Sequence, residues 1–370
     1  MKPIILFMML LCSLLEAKYM DNYSCKECHE KIYDEYESSA HAQGYFGSIL
    51  HRKIADKVST KKYECARCHT PMADNIEALM QGHARPDSTN KTHTDAVSCY
   101  FCHTIAYVQK AHMFNINTKA KQAKGYKPTL YGRLNNPDQS DKHSSTSTNP
   151  IYAKKVCMGC HSHKRNDNNV TIFKAMKSEQ NSLGCIRCHM PKVVGGVEKM
   201  DKRARGMHVS HKFLGIHDDE FRKTGVDINF SVTDENLTVT LHNKMEHPLI
   251  IQPARAKFLK IEVRRKSKII WKNYLKVPSE DKQGYFAYSF KENGKDVIIP
   301  AHATEGTVYN LNADEEKVLY YNIPKLQKGD KVSIGLYVRL AKSDCTKVID
   351  LGYGLLSKNQ LIKEVIYLQD

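Results

Sequence analysis

GCIRCHMPK, residues 184–192, holds two cysteines three positions apart with a histidine directly after the second. The same pattern, Cys-x-x-Cys-His, occurs five times in the chain, and the two residues between the cysteines differ in every copy. Its members are Cys25, Cys28 and His29; Cys65, Cys68 and His69; Cys99, Cys102 and His103; Cys157, Cys160 and His161; and Cys185, Cys188 and His189. Because only the cysteine and histidine positions are constant, the pattern indicates chemistry at these side chains.

Covalent attachment of c-type haem explains both residue types and their spacing. Two thiols three residues apart add to the two vinyl groups of one porphyrin, and the adjacent imidazole becomes the proximal iron ligand. A zinc ribbon pairs one Cys-x-x-Cys with another and has no use for histidine at a fixed offset. A redox dithiol opens a helix within a thioredoxin-like pattern that is absent here, and disulfides leave the histidines unexplained. The sequence therefore predicts five covalent c-type haems with His29, His69, His103, His161 and His189 as proximal ligands.

The first 17 residues, MKPIILFMMLLCSLLEA, have a short basic start, an apolar run and a small residue, Ala17, at the end. This pattern predicts a secretory signal peptide that is cleaved before Lys18. The apolar run is too short to span a bilayer comfortably, so we expect a periplasmic or extracellular protein with no transmembrane span in the mature chain. Of the two cysteines outside the motifs, Cys12 lies in this run, and Cys345 is predicted to be a packed thiol.

The chain is basic, with a formal net charge of +16. Each haem carries two propionates, so five haems would add about ten negative charges. The lysines and arginines are dispersed along the sequence, which favours pairing with propionates over binding to nucleic acid. A remaining positive face would suit an acidic redox partner.

Residues 18–221 contain all five motifs and 15 of the 18 histidines. About 40 residues per haem are too few for a polypeptide core, so we expect the porphyrins to supply much of the buried apolar surface. This predicts a pentahaem cytochrome region of short helices and long loops. Ile32, Tyr33, Tyr36 and Ala40 have helical spacing, and residues 137–150, PDQSDKHSSTSTNP, are predicted to form a loop.

Residues 222–370 alternate apolar and polar side chains instead. Examples are DINFSVT (227–233), NLTVTLH (236–242), KFLKIEVRR (257–265), IIWKNYLKV (269–277), VLYYNIP (318–324) and KVSIGLYVRL (331–340). Six to eight such strands predict an antiparallel immunoglobulin-like β-sandwich that serves support, docking or assembly.

Three segments resemble a multihaem cytochrome superfamily that contains hydroxylamine oxidoreductase, pentahaem nitrite reductase and a tetrahaem cytochrome that accepts electrons from hydroxylamine oxidoreductase. They are SCKECHEKIYDEYESSAH (24–41), AVSCYFCH (96–103) and GCIRCHMPK with RGMHVSHKFLGIH (205–217). The resemblance covers about residues 22–218 and implies distal iron ligands at His41, His112, His208 and His211.

Two further histidines are candidates for distal iron ligands. His143 is a candidate within the pentahaem region. LHNKMEHPLIIQPARAKFLKIEV (241–263) resembles the opening of a β-sandwich that is appended to some multihaem cytochromes. His247 of this segment is a lesser alternative, as a ligand that reaches a haem across the domain junction.

Every motif ends in histidine, whereas pentahaem nitrite reductases carry one Cys-x-x-Cys-Lys at the catalytic haem, and hydroxylamine oxidoreductases have more haems. We therefore expect an electron-transfer protein of anaerobic respiration with no catalytic side chain. It would carry electrons from a quinol-oxidising membrane cytochrome to a terminal reductase or other acceptor. The alternatives are a reductase of a small nitrogen or sulfur oxyanion at one five-coordinate haem, and a subunit of an extracellular cytochrome filament.

Overall fold

A computed structural model describes residues 19–109, 114–118, 127–175, 182–195, 206–352, 354 and 356–369. The predicted signal peptide, Cys12 and His112 lie outside these residues. None of the helices within the described ranges is long and apolar enough to span a membrane.

The N-terminal part of the chain consists of short helices joined by irregular segments. They are α1 (Asn22–Lys26), α2 (Glu30–Glu37), α3 (Ile49–Val58), α4 (Ala66–His69), α5 (Ile76–Gln81), α6 (Lys91–Thr94) and α7 (Cys99–His103). The predicted helix after His29 is α2, but it ends at Glu37, and Ala40 lies in a separate 3₁₀ turn, Ala40–Ala42. Serines at 38 and 39 separate the two, since their side chains compete with the helical backbone for hydrogen bonds.

The next part of the chain mixes short strands with helices. Its elements are β1 (Ile105–Gln109), β2 (Phe114–Asn117), β3 (Thr129–Tyr131), β4 (Ser144–Thr146), α8 (Pro150–Lys155), α9 (Met158–His161), β5 (His163–Arg165), β6 (Thr171–Lys174), α10 (Ser182–His189), β7 (Lys192–Val194), β8 (Met207–Val209) and α11 (Asp219–Arg222). β1 with β2, β5 with β6 and β7 with β8 form antiparallel pairs, and β3 pairs with β4 in parallel. The segment predicted as a loop, residues 137–150, therefore contains one short strand and the first residue of α8.

Among the described residues of this N-terminal half, apolar packing is limited to small clusters. One gathers around Tyr63, Ala66 and Leu79, and another around Phe101, Ile105 and Tyr152. Each is far smaller than the core of an independent domain of this length. The prediction that polypeptide alone does not fill this half agrees with the observed packing.

The chain from Val226 onward is a β-rich region. Its strands are β9 (Val226–Thr233), β10 (Asn236–Asn243), β11 (Ala256–Arg265), β12 (Lys268–Lys272), β13 (Tyr285–Glu292), β14 (Lys295–Val297), β15 (Glu305–Tyr309), β16 (Glu316–Asn322), β17 (Lys331–Arg339) and β18 (Gln360–Leu368), with a helix α12 (Ser343–Val348) before β18. They form a three-stranded sheet, β16-β10-β9, and a seven-stranded sheet in which β11, β13 and β17 are central. Every pairing in both sheets is antiparallel.

One apolar core joins the two sheets. Leu237, Val239 and Leu241 of β10 pack with Ile261 of β11 and Ile334 of β17, and all five are fully buried. The alternation seen in the sequence has its physical basis here, because every second side chain of a strand points to the same face. The six quoted segments form strands, and β13, β14, β15 and β18 are present beside them; the immunoglobulin-like topology stays a prediction.

The β-rich region contacts the N-terminal half directly. Val170, Ile172 and Ile216 pack against its core. Asn166 donates its side-chain amide to the carbonyls of Pro300 and Ala303 at 2.9 and 2.8 Å. The hairpin β5–β6 is thereby fixed to the β-rich region.

Candidate haem-binding sites

Each Cys-x-x-Cys-His motif lies on about one turn of helix. The backbone N–H of His29 donates to Cys25 O at 2.9 Å, and His69 to Cys65 and His161 to Cys157 repeat this bond at 3.1 and 2.9 Å. In a helix, residues three and four positions apart lie on the same face. Both thiols and the imidazole of each motif therefore point to one side, as attachment of a single macrocycle requires.

The five motifs, numbered one to five along the chain, lie next to one another in space. The thiols of Cys25 and Cys99, of Cys68 and Cys160, and of Cys157 and Cys185 lie close enough to interact. These contacts place the first motif beside the third, the second beside the fourth, and the fourth beside the fifth. Tyr152, near both Cys102 and Cys157, lies between the third and fourth motifs.

Four of the five motif histidines lie near a second histidine. The distances between ring centres are 6.4 Å for His29 and His143, 6.3 Å for His103 and His211, 6.3 Å for His189 and His247, and 5.8 Å for His161 and His41. An imidazole nitrogen binds a transition-metal ion at about 2.0–2.1 Å, so two imidazoles on opposite sides of one iron have centres about 6 Å apart. The spacing of all four pairs fits one iron between the rings.

Hydrogen bonds orient several of these rings. The Nδ1–H of His103 donates to Tyr131 O at 2.7 Å, and that of His189 donates to Leu214 O. On the opposite side, His211 donates to Val209 O and His247 donates to Pro248 O, both at 2.9 Å. Such a bond fixes the proton on Nδ1 and leaves the lone pair of Nε2 for a metal.

Burial keeps these imidazoles neutral at pH 7, as metal binding requires. It lowers the pKa of His161, His211 and His247 to about 4. The pKa values of His103 and His143 are lowered for the same reason.

His41 shows the same effect and has an unsatisfied ring nitrogen. Burial lowers its pKa to about 3. Its Nδ1 is buried without a hydrogen-bond partner, and the ring packs edge-on against Phe213 with centres 4.3 Å apart. A buried polar atom without a partner is rare in folded proteins, and an iron bound between His41 and His161 would explain it.

The second motif differs from the others. His51 of α3 stacks on His69 with ring centres 3.6 Å apart and planes 13° apart. At that distance parallel rings lie face to face, so His51 is on the flank of His69 and not opposite its metal-binding edge. Nε2 of His51 is 3.0 Å from the hydroxyl of Tyr63. Among the residues that the structure describes, no second histidine lies about 6 Å from His69, the separation of two imidazoles that bind one iron.

His208, a predicted distal ligand, is engaged at both ring nitrogens. Nε2 lies 2.9 Å from Glu35 Oε1, and Nδ1 lies 3.1 Å from Gly195 O. Glu35 also accepts the backbone N–H of His211 at 2.8 Å. Burial opposes ionisation of Glu35, but these bonds to His211 and His208 outweigh it and lower its pKa. The geometry favours a role for His208 in positioning the His211 segment over a role as iron ligand.

Of the predicted distal ligands, His41, His143 and His211 thus face proximal histidines, His208 does not, and His112 lies outside the described residues. His247, which the sequence offered as a ligand across the junction, faces His189. The position of His51 was not anticipated, because no motif surrounds it and only the packing of α3 brings it to His69.

A single cavity of about 3680 Å³ connects these groups. Cysteines and histidines of all five motifs line it, together with His41, His143, His211 and His247. Pockets for one small ligand measure about 300–1,000 Å³. This cavity has room for several large planar groups side by side.

Comparison with known proteins agrees with this geometry. Residues 24–104 match the family described as cytochrome c554 and c-prime. The structure matches the crystal structure of a penta-heme cytochrome c552 from Thermochromatium tepidum with a TM-score of 0.73, at 20% sequence identity, over 94% of this chain and 98% of that chain. No curated protein sequence matches the chain.

The chain shares the fold of that penta-heme cytochrome c552. The structural match extends through the β-rich region, since it covers nearly the whole of both chains.

Proposed function

We propose that the chain is a pentahaem c-type cytochrome that transfers electrons between redox partners. The four histidine pairs, spaced for one iron each within one connected cavity, carry this proposal. Haem iron supplies reversible one-electron chemistry, with a potential set by its ligands and surroundings. The chain's own residues supply the thiols, the paired imidazoles and the close spacing of the sites.

The geometry supports the following assignment of residues. The cysteines of the five motifs would bind five porphyrins, and the five motif histidines would be the proximal ligands. His143, His211, His41 and His247 would be the distal ligands at the first, third, fourth and fifth sites. An iron with two histidine ligands has no open position for a substrate, which favours electron transfer over catalysis at these four sites.

The cellular setting is part of the proposal. The N-terminal 17 residues act as a signal peptide, so the protein works in the periplasm or outside the cell. A quinol-oxidising membrane cytochrome donates electrons, and a terminal reductase accepts them. Residues 18–221 form the pentahaem domain, and residues 222–370 form the β-sandwich domain.

The mass and spin state of the purified protein test the proposal. We expect the mature chain to carry the added mass of five haems, and electron paramagnetic resonance to show low-spin signals from the four bis-histidine sites. Optical potentiometry should show reversible one-electron steps for each haem. A folded chain without bound haem, or one that carries zinc in its place, would refute the proposal.

A second function, reduction of a small nitrogen or sulfur oxyanion, is favoured by one observation. His51 lies on the flank of His69, so the described residues leave the distal side of the second haem without an imidazole. An iron with one open position can bind a small molecule.

The second candidate is tested with the native protein and His112→Ala. A high-spin ferric signal in the native protein, with binding of cyanide or nitric oxide and turnover of nitrite, hydroxylamine or tetrathionate, would support it. An all-low-spin native spectrum that gains one high-spin haem in His112→Ala would instead identify His112 as the missing ligand. That result would rule out the second candidate function and leave electron transfer as the proposed function.

A further inference from the structure

Two cations of the β-rich region lie deep in the protein beside the fifth haem site. Lys257, in β11, has only 9% of its surface exposed, and Arg255 comes directly before that strand. Both line the large cavity. Lys257 acts electrostatically on His247, which faces His189 of the fifth motif.

These cations have no anionic partner among the described residues. Nε of Arg255 is buried without a hydrogen-bond partner. The ammonium of Lys257 donates to Leu249 O at 2.7 Å, which uses one of its three N–H groups. Burial and the neighbouring Arg255 lower the pKa of Lys257 to about 7, and burial lowers that of Arg255 to about 10.

Two other cations that line the cavity have partners, which makes this pair distinct. Arg222 binds Asp219 at 2.7 Å and the carbonyl of Leu361 at 2.8 Å. Arg187, on the helix of the fifth motif, binds Glu246. Buried charges in proteins are normally paired, because an isolated ion loses its hydration without compensation. Two adjacent unpaired cations that line a cavity therefore indicate an anion inside it.

We propose that Arg255 and Lys257 form a carboxylate-binding site that receives the propionates of the fifth haem. This inference rests on the proposed function. A guanidinium matches a carboxylate with two parallel hydrogen bonds, and the two free N–H groups of Lys257 suit a second carboxylate. The β-rich region is then part of the fifth haem site, since it supplies both the distal ligand His247 and the propionate partners.

The redox potential of the fifth haem tests this assignment. A cation near a haem favours the reduced state, because reduction adds one negative charge. Arg255→Gln should lower the reduction equilibrium constant of one haem about tenfold, which is 59 mV for a one-electron couple. The affected haem should be the one that becomes high-spin in His247→Ala.

Two matched variants distinguish the effect of the positive charge on the haem potential from the effect of side-chain packing. Arg255→Lys keeps the charge and should restore most of the potential. Lys268→Met removes an exposed cation of the same region and should leave every potential unchanged. A folded Arg255→Gln protein with five haems and native potentials would overturn the inference while leaving the proposed function intact. A native protein without haem would instead overturn the proposed function.

If Arg255→Gln does not fold, the charge-conserving variants still test whether these side chains contact a propionate. The propionate bending band in resonance Raman spectra should shift in Arg255→Lys and in Lys257→Arg, because both change the geometry of the hydrogen bonds. Bands identical to those of the native protein in both variants would show that neither side chain contacts a propionate.

Discussion

A histidine binds iron only when one ring nitrogen is unprotonated and faces the metal. His247 meets this condition, since its Nδ1–H is bound to Pro248 O and its ring centre is 6.3 Å from that of His189. His208 does not, since Glu35 and Gly195 engage both of its nitrogens. The sequence favoured His208 over His247 as a distal ligand, and the hydrogen bonds of the folded protein favour the opposite order.

Substitution of His247 by alanine should convert one haem from low-spin to high-spin. The reason is loss of the imidazole opposite His189, while the thioether bonds of Cys185 and Cys188 keep the haem attached. Electron paramagnetic resonance and mass spectrometry check the two parts of this prediction. The matched control is His242→Ala, which removes a histidine of the β-rich region outside the large cavity and should leave the spin states unchanged; a new high-spin haem in that variant would show that the spin change does not report loss of the ligand opposite His189.

Substitution of His41 by alanine should also produce one new high-spin haem, at the fourth site opposite His161. The total covalent haem count should remain five, because His41 makes no thioether bond. Magnetic circular dichroism would measure the change. An unchanged spectrum would mean that the unpartnered Nδ1 of His41 does not face an iron.

At the scale of elements, the β-strands are stabilised by a continuous apolar core. Ile261 in β11 is fully buried between the two sheets, whereas Ile269 in the neighbouring β12 is 44% exposed. The same residue type thus occupies two positions with different burial in adjacent strands. The free energy of packing depends on burial and not on residue type alone.

Ile261→Ala should lower the free energy of unfolding by about 2–5 kcal/mol, since it removes buried methyl groups and leaves a cavity. Ile269→Ala should change it by less than about 0.5 kcal/mol. Urea unfolding followed by fluorescence of Trp271, the single tryptophan of the chain, measures both. Equal effects of the two substitutions would contradict the two-sheet packing.

Helical motifs and alternating strands could be predicted, because both follow from local spacing. One helical turn carries Cys65, Cys68 and His69 to one side, and a period of two carries Leu237, Val239 and Leu241 to one face. The short hairpins near the haem sites could not be predicted, since strands of three or four residues, such as β5 and β7, show no periodicity. Their positions depend on contacts with the rest of the fold.

At the scale of the whole molecule, histidine burial links stability to pH. Eight histidines at the candidate haem sites have pKa values lowered mainly by burial: His41, His51, His69, His103, His143, His161, His211 and His247. In the unfolded chain each has a pKa of about 6.5. Between that value and the lowered folded value, the unfolded state binds more protons.

Stability should therefore fall as the pH drops from about 6.5 to about 4, by up to about 1.4 kcal/mol per pH unit for each such histidine. Thermal unfolding midpoints of the holoprotein across this range measure the effect. Ile269→Ala, which removes no titratable group, should leave the slope unchanged. A constant midpoint from pH 6.5 to 4.5 would show that the buried imidazoles do not control acid stability.

The sequence by itself determined where haem is expected to attach, because thiols and imidazole lie within five consecutive residues and their geometry follows from one helical turn. It also determined the position of the β-rich region through the alternation of its strands. Only the tertiary structure decided which histidine faces each proximal ligand, as with His29 and His143 or His189 and His247. Those partners lie far apart in the chain, and it is the packing of loops and sheets around a shared cavity that brings them within the span of one iron.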